Sequence, residues 1–135
     1  MEESLQMLIK RRLIATFLTL IILIFVSHCG KGEIVSDDVI GLWKTSEPTY
    51  ADRSFEITKE RITFGIGDGK FESYSIKKIR VEQSPQDKSR LYTIYYEDGE
   101  GGDVTFSFYY YLDNGGIIRL KNKKQMEWKK ERGKR

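Results

Sequence analysis

Apolar and polar residues alternate along most of the chain after residue 38, with the period of two that places one face of a β-strand against a core. The longest alternating run has apolar residues at every second position, at Val104, Phe106, Phe108, Tyr110 and Leu112. Shorter runs of the same kind lie at residues 39–43, 54–58, 62–66, 71–83, 118–120 and 126–128, and the run at 91–96 is apolar or aromatic on both faces. The pattern predicts about eight short strands.

Turn residues separate these runs at short intervals. Gly67-Asp68-Gly69 and Asp113-Asn114-Gly115-Gly116 permit the positive φ that tight hairpins need, and a change of apolar phase predicts a β-bulge near Lys77-Lys78. No segment after Cys29 carries a long helical apolar stripe, so parallel strands with helical crossovers are not expected. The predicted fold class is all-β: an antiparallel meander of about eight strands that closes into a small barrel or clamshell and so removes its exposed edges.

The N-terminus has a different pattern. Three basic residues, 10–12, precede an uncharged stretch of 14 residues from Leu13 to Val26. A membrane-spanning helix needs about 20 apolar residues, whereas the apolar region of a secretory signal has about 7 to 15. The length favours a helical signal peptide at residues 1–28, a tether at 29–38 and a β-barrel domain with a basic tail at 39–135. An uncleaved membrane anchor is the alternative, because Leu8, Ile9 and Ser27 would lengthen the stretch.

The end of this leader, Val26-Ser27-His28-Cys29, resembles the lipobox of bacterial lipoproteins. In that motif a peptidase cleaves before a cysteine that carries a diacylglyceryl group. The resemblance implies that Cys29 is lipidated and that the protein is held at a membrane of the bacterial cell envelope, as a periplasmic or outer-membrane lipoprotein. His28 departs from the small residue that usually precedes the cysteine. Cys29 is the only cysteine, so plain secretion would leave it unpaired.

A second resemblance lies at the start of the first predicted strand. Gly41-Leu42-Trp43 resembles the Gly-x-Trp signature of lipocalin-like barrels, and the resemblance covers residues 39–130. It implies a small lipocalin-like barrel in which Trp43 closes one end and a basic residue near the C-terminus packs on the indole. Arg119 and Lys130 are the two candidates for that basic residue.

The residue types that the predicted barrel domain lacks exclude several kinds of catalytic and metal site. The only histidine, His28, lies in the leader, and the only thiol is Cys29, so histidine-based nucleophile systems and common zinc sites are excluded. The segment from Glu97 to Asp103 is rich in carboxylates, but its spacing does not match an EF-hand, and we interpret it as a Gly-rich hairpin loop. We expect no enzyme activity, no cofactor and no metal site; a carboxylate-based enzyme is the less favoured alternative.

Charge adds little to this picture. The formal net charge of +3 is close to balance and gives no reason to expect a nucleic-acid partner. Residues 119–135 contain nine Lys or Arg against Glu127 and Glu131. We interpret this basic tail as a solubilising edge that blocks pairing with other sheets, with contact to anionic lipid headgroups as the alternative.

The functional hypothesis is a membrane-anchored envelope protein whose barrel binds an apolar small molecule or an envelope protein partner. The alternative is a structural or accessory subunit that binds no ligand. A barrel of about eight strands has room for its own side chains or for one small ligand, so an internal cavity would favour the first and a packed core the second. The candidate ligand-binding residues of the interior are Trp43, Phe106, Phe108, Tyr110 and Trp128.

Overall fold

The structure is a computed structural model that describes residues 1–25 and 34–133. One helix, α1 (Glu2–Phe25), precedes the strands β1 (Gly41–Lys44), β2 (Arg53–Ile57), β3 (Arg61–Gly67), β4 (Lys70–Gln83), β5 (Arg90–Glu97), β6 (Asp103–Tyr111), β7 (Ile117–Leu120) and β8 (Lys123–Lys130). Two single-turn 3-10 helices lie at Pro48–Tyr50 and Asp113–Gly115. His28 and Cys29, and with them the lipobox, fall outside the described residues.

The strands form one closed antiparallel barrel in chain order, so the predicted fold class is confirmed. Each strand pairs with the next, and β1 pairs with β8 to close the sheet. This architecture is consistent with a lipocalin-like barrel. The prediction of a helical N-terminal segment is also confirmed, and α1 belongs to a compact unit separate from the barrel. In the described part of the chain, no helix combines the length and the apolar character required to cross a bilayer.

The longest strand, β4, changes partner halfway along its length. Its first half, from Lys70 to Ser75, pairs with β3, and its second half, from Ile76 to Gln83, pairs with β5. The register shifts between Ile76 and Lys78, where the phase of apolar residues changes in the sequence. The predicted bulge is therefore confirmed, and it lets β4 keep an apolar inner face on both sides of the shift.

Alternate connections of a meander lie at the same end of the barrel, which defines two ends. The end that we call the entry end receives residues 34–40 and carries the connections at residues 58–60, 84–89 and 112–116. The opposite end, which we call the mouth, carries the connections at residues 45–52, 68–69, 98–102 and 121–122. The chain thus reaches the barrel from the side opposite to the mouth.

Trp43 closes the entry end. Its side chain is fully buried, and its indole Nε1 donates a hydrogen bond of 2.9 Å to the carbonyl oxygen of Val39, which is buried as well. The ammonium of Lys130 lies 5.4 Å from the centroid of the Trp43 ring and donates a hydrogen bond to the carbonyl oxygen of Asp37. Val35, in the predicted tether, is also buried against this end.

Lys130, rather than Arg119, is therefore the basic residue that packs on Trp43. The Arg119 guanidinium instead lies 5.6 Å from the Tyr111 ring and donates a hydrogen bond of 2.5 Å to Glu127. The difference follows from register, because Lys130 is the direct partner of Trp43 across the β1–β8 seam. Arg119 lies on the outer face of β7, opposite Tyr109.

One detail of the sequence-based strand pattern is wrong. The alternation predicted that Leu112 continues the inner face of β6, but β6 ends at Tyr111 and Leu112 is 69% exposed. The chain turns into the 3-10 helix at Asp113–Gly115 immediately afterwards. That turn takes Leu112 out of the pleat of the sheet and therefore out of the core.

The close approach of Lys130 to β1 generates a stability prediction. Gly41 has φ = 141°, and a Cβ at this position would lie 3.2 Å from Cδ of Lys130. We expect Gly41→Ala to lower the free energy of unfolding by about 1–3 kcal/mol, since the new side chain is strained in this conformation and crowds Lys130. Urea denaturation of the variant measures the loss.

Gly99→Ala is the matched control, because a Cβ there meets nothing within 4 Å. We expect this control to change stability by less than about 1 kcal/mol. Equal effects of the two substitutions would contradict the packing described for the entry end.

Candidate functional site

The structure brings the five predicted interior residues into or beside one core. Four of them, Trp43, Phe108, Tyr110 and Trp128, are at least 95% buried, whereas Phe106 is only partly buried. Trp43 meets Tyr110 edge to face at 6.3 Å between ring centroids, and Phe106 lies 5.6 Å from Phe108. The alternation in β6 and β8 therefore identified side chains that do face inward.

Phe55, which was not among the predicted site residues, connects this set. Its ring centroid lies 5.1 Å from those of Phe106 and Trp128 and 6.4 Å from those of Trp43 and Phe108. Phe55 is 2% exposed. The signal in the sequence was its place in the alternating run at 54–58, but only the barrel closure puts β2 opposite β6. We call Trp43, Phe55, Phe108 and Trp128 the inner cluster; Phe55 contacts each of the other three rings, and all four are buried.

A second group of aromatic rings lies nearer the mouth. Phe64 lies 5.2 Å from Phe106, 5.9 Å from Tyr96 and 6.3 Å from Tyr74, and Tyr74 lies 5.0 Å from Tyr96. Phe64, Tyr74 and Phe106 are only partly buried. We call these four residues the mouth cluster. Phe106 joins it to the inner cluster, so aromatic surface continues from the core to solvent.

Unequal strand lengths expose the mouth cluster. The first half of β4 pairs with β3 alone, so the hairpin of these two strands continues past the end of the β4–β5 ladder. Phe64 and Tyr74 lie on this hairpin. Tyr96 lies near the end of β5, opposite Ile76 at the bulge. The rings therefore meet where the barrel wall is incomplete.

Two carboxylates lie beside the tyrosines of the mouth cluster. The Tyr74 hydroxyl donates a hydrogen bond of 2.9 Å to Glu72, and this bond raises the pKa of Tyr74 above its ordinary value. Burial raises the pKa of Tyr96, and the nearby charges of Asp98 and Glu72 act in the same direction. Both phenols therefore stay protonated at neutral pH and remain hydrogen-bond donors.

The carboxylate-rich loop beside the mouth is held together by its own contacts. Lys77 pairs with Glu97 at 2.7 Å and with Asp103 at 2.8 Å, and hydrogen bonds to these two carboxylates raise the pKa of Lys77. Asp98 accepts hydrogen bonds from the backbone N–H groups of Glu100 and Gly102. These bonds support the interpretation as a hairpin loop. Within residues 1–25 and 34–133, no three His, Cys, Asp or Glu side chains gather in a metal-binding arrangement.

A cleft in the barrel wall leads to Phe106. The β6–β7 ladder pairs only Phe108 to Tyr111, because β7 has four residues and β6 has nine. The first half of β6 therefore borders a cleft of about 580 Å³, which we call the lateral cleft. Its lining residues are Thr105, Phe106, Ser107, Leu120, Lys121 and Asn122.

Tyr110 reaches a different cleft, at the entry end. This cleft has a volume of about 600 Å³, and Asp38, Lys88 and Arg90 contribute to its polar lining. Burial raises the pKa of Tyr110, with a smaller contribution from the charge of Asp38. Tyr110 is therefore separated by the inner cluster from the mouth, although the sequence grouped it with Phe106.

Comparisons with known proteins found no match, so the functional argument rests on the geometry of the site. No protein-family model, no curated protein and no solved structure matches the chain. The site has apolar aromatic surface, reached through the mouth and the lateral cleft, with the phenol groups of Tyr74 and Tyr96 at its edge. Small-molecule sites in proteins are commonly lined by apolar and aromatic side chains with a few polar groups.

The central position of Phe55 generates a second stability prediction. We expect Phe55→Ala to lower the free energy of unfolding by about 3–5 kcal/mol, because a buried ring in contact with four others is replaced by a cavity. Phe71→Ala is the matched control, since Phe71 is 68% exposed on β4. We expect the control to change stability by about 0.5 kcal/mol or less. Thermal and urea denaturation of both variants measure the difference, and similar losses would contradict the arrangement of the inner cluster.

Proposed function

We propose that the protein is a lipid-anchored lipoprotein of the bacterial cell envelope whose lipocalin-like barrel binds an apolar small molecule. The observation that carries the binding proposal is the mouth cluster. Its four aromatic side chains continue the core outward, and three of them, Phe64, Tyr74 and Phe106, are left partly exposed. A barrel of eight strands can hold one small ligand, and exposed aromatic surface at the open end of such a barrel is a suitable place for it.

The membrane anchor is supported by the order of the N-terminal segments. Basic residues, an apolar stretch of 14 residues and a cysteine follow one another as in lipoprotein leaders. Because this order resembles that of lipoprotein leaders, we propose a periplasmic or outer-membrane location. A permanent anchor formed by Leu13 to Val26 is the alternative attachment.

A structural or accessory subunit of an envelope complex is the second candidate function. The observation that favours it is the inner cluster, where Trp43 and Phe108 are fully buried among other rings. In this alternative the exposed mouth contacts an envelope protein partner. A carboxylate-based enzyme is less favoured than either, because Glu97 and Asp103 pair with Lys77.

The anchor is tested by intact mass. Extracted from membranes of a bacterial host, the protein should begin at Cys29 and carry acyl chains, and Cys29→Ser should abolish both changes. We expect His28→Gly to increase the cleaved fraction, because a small residue normally precedes the cysteine of a lipobox. An unmodified full-length mass for the wild type and for Cys29→Ser, both in the membrane fraction, would contradict lipidation and favour the permanent anchor.

Ligand binding is tested with N-phenyl-1-naphthylamine, an apolar fluorescent probe. The full chain is reconstituted in phospholipid nanodiscs, and empty nanodiscs supply the blank. We expect saturable binding that Phe106→Ala weakens about tenfold, since the ring supplies apolar contact area worth roughly 1.4 kcal/mol. Phe71→Ala is the control, because it removes the same kind of ring from an exposed position of β4 that lines neither the mouth cluster nor the lateral cleft. Absence of saturable binding, or equal loss in both variants, would contradict a ligand site at the mouth.

A further inference from the structure

The first half of β6 has a free edge on the side of the lateral cleft. On its other side, β6 pairs with β5 along almost its whole length, whereas β7 pairs with it only from Phe108 onward. One further backbone hydrogen bond of 3.1 Å joins the N–H of Lys121 to the carbonyl oxygen of Ser107. In the part of the chain that the structure describes, no strand pairs with residues 103–106 on this side.

The backbone groups of this edge point outward in a regular order. In an antiparallel sheet, successive residues direct their N–H and C=O groups to opposite neighbouring strands. Ser107 directs its carbonyl oxygen toward β7. Asp103 and Thr105 have the same phase as Ser107, so their N–H and C=O groups point to this side as well. Both residues are exposed. The edge therefore presents two donors and two acceptors to an added strand.

The lateral cleft lies along this edge and provides room for such a strand. Thr105 and Ser107 line it, and its volume is about 580 Å³. Phe106 and Leu120 supply its apolar lining. Because side chains alternate along a strand, an extended segment laid against β6 directs every second side chain to the face of Phe106. Apolar residues at those positions therefore fit the cleft.

The border of the cleft on the β7 side is basic. Lys121 lines the cleft, and Lys123 and Lys124 follow it at the start of β8. None of these three lysines forms a salt bridge with a residue that the structure describes. On the edge itself, the charge of Asp103 is compensated by Lys77, at 2.8 Å. The charges around the free edge therefore complement an acidic segment.

We propose that the free edge of β6 binds an extended segment of a partner protein, which has acidic residues at its start and alternating β-branched apolar residues after them. The segment adds as an antiparallel strand, so its first residues lie beside Lys121 and its apolar side chains face Phe106. Hydrogen bonds with Thr105 and Asp103 supply affinity. This interaction goes beyond the apolar-ligand function and does not depend on it.

A synthetic peptide tests the pairing in the wild-type protein. The probe is Glu-Glu-Val-Thr-Val-Thr, with fluorescein at its N-terminus and an amide at its C-terminus. With the full chain in phosphatidylcholine nanodiscs and empty nanodiscs as the blank, we expect saturable binding by fluorescence anisotropy. N-methylation of the first threonine removes an N–H that faces β6 and should weaken binding about tenfold. N-methylation of the second valine, whose N–H faces away, is the control and should weaken it by less than about threefold.

Variants of the protein test the same edge from the other side. Thr105→Pro removes an N–H of the free edge, where proline is tolerated, whereas Thr105→Ala retains it. We expect the proline variant to bind the peptide about tenfold more weakly and the alanine variant to change affinity by less than about threefold. Lys121→Gln should weaken binding about threefold and reduce its salt dependence. Lys59→Gln, at an exposed position of the entry end, is the control.

The outcomes separate this inference from its competitors. Absence of saturable binding, or equal loss with both methylated peptides, would overturn it without affecting the apolar-ligand function. The methylated peptides require no substitution, so this result does not depend on whether a variant folds. A second copy of the chain is the competing occupant of the edge. Sedimentation velocity of the full chain in detergent would then show a dimer that Thr105→Pro dissociates, and this result would also overturn the inference.

Discussion

The seam between β1 and β8 is the constraint on which the rest of the structure depends. It consists of the register pairs Trp43 with Lys130 and Lys44 with Lys129, and a backbone hydrogen bond of 2.8 Å continues it from Glu131 to Leu42. Closing a sheet removes both exposed edges at once and turns one face of every strand inward. The register of this seam also places the ammonium of Lys130 on the Trp43 ring. The pairing that closes the sheet therefore also sets the packing of the entry end.

Closure is complete at one end of the barrel and incomplete at the other, and this asymmetry locates the candidate site. At the entry end, Val35 and Val39 add buried side chains from outside the strands and cover Trp43. Towards the mouth, β7 is too short to pair with the first half of β6, and β4 extends past the β5 ladder. Aromatic residues that alternation assigns to the inner face are therefore buried near the entry end, whereas three of the four residues of the mouth cluster are partly exposed.

The two aromatic clusters accordingly have different roles in the proposed function. The inner cluster provides stability, because its rings bury their surface against one another. The mouth cluster retains exposed apolar surface, and that surface lies at the end of the domain opposite to the incoming chain.

The sequence by itself determined the fold class, most of the inward-facing residues and the bulge in β4, and it predicts an anchor at Cys29, which lies outside the described residues. These depend on local features: alternation with a period of two, turn residues at short intervals, and the length of one apolar stretch. Only the tertiary structure decided that Lys130 and not Arg119 packs on Trp43, that Phe55 links the inner rings, and that Leu112 leaves the core. Each of these depends on the register between strands distant in sequence, on the closure of the sheet or on the unequal lengths of neighbouring strands. A local pattern carries no information about which residues of two strands lie opposite each other.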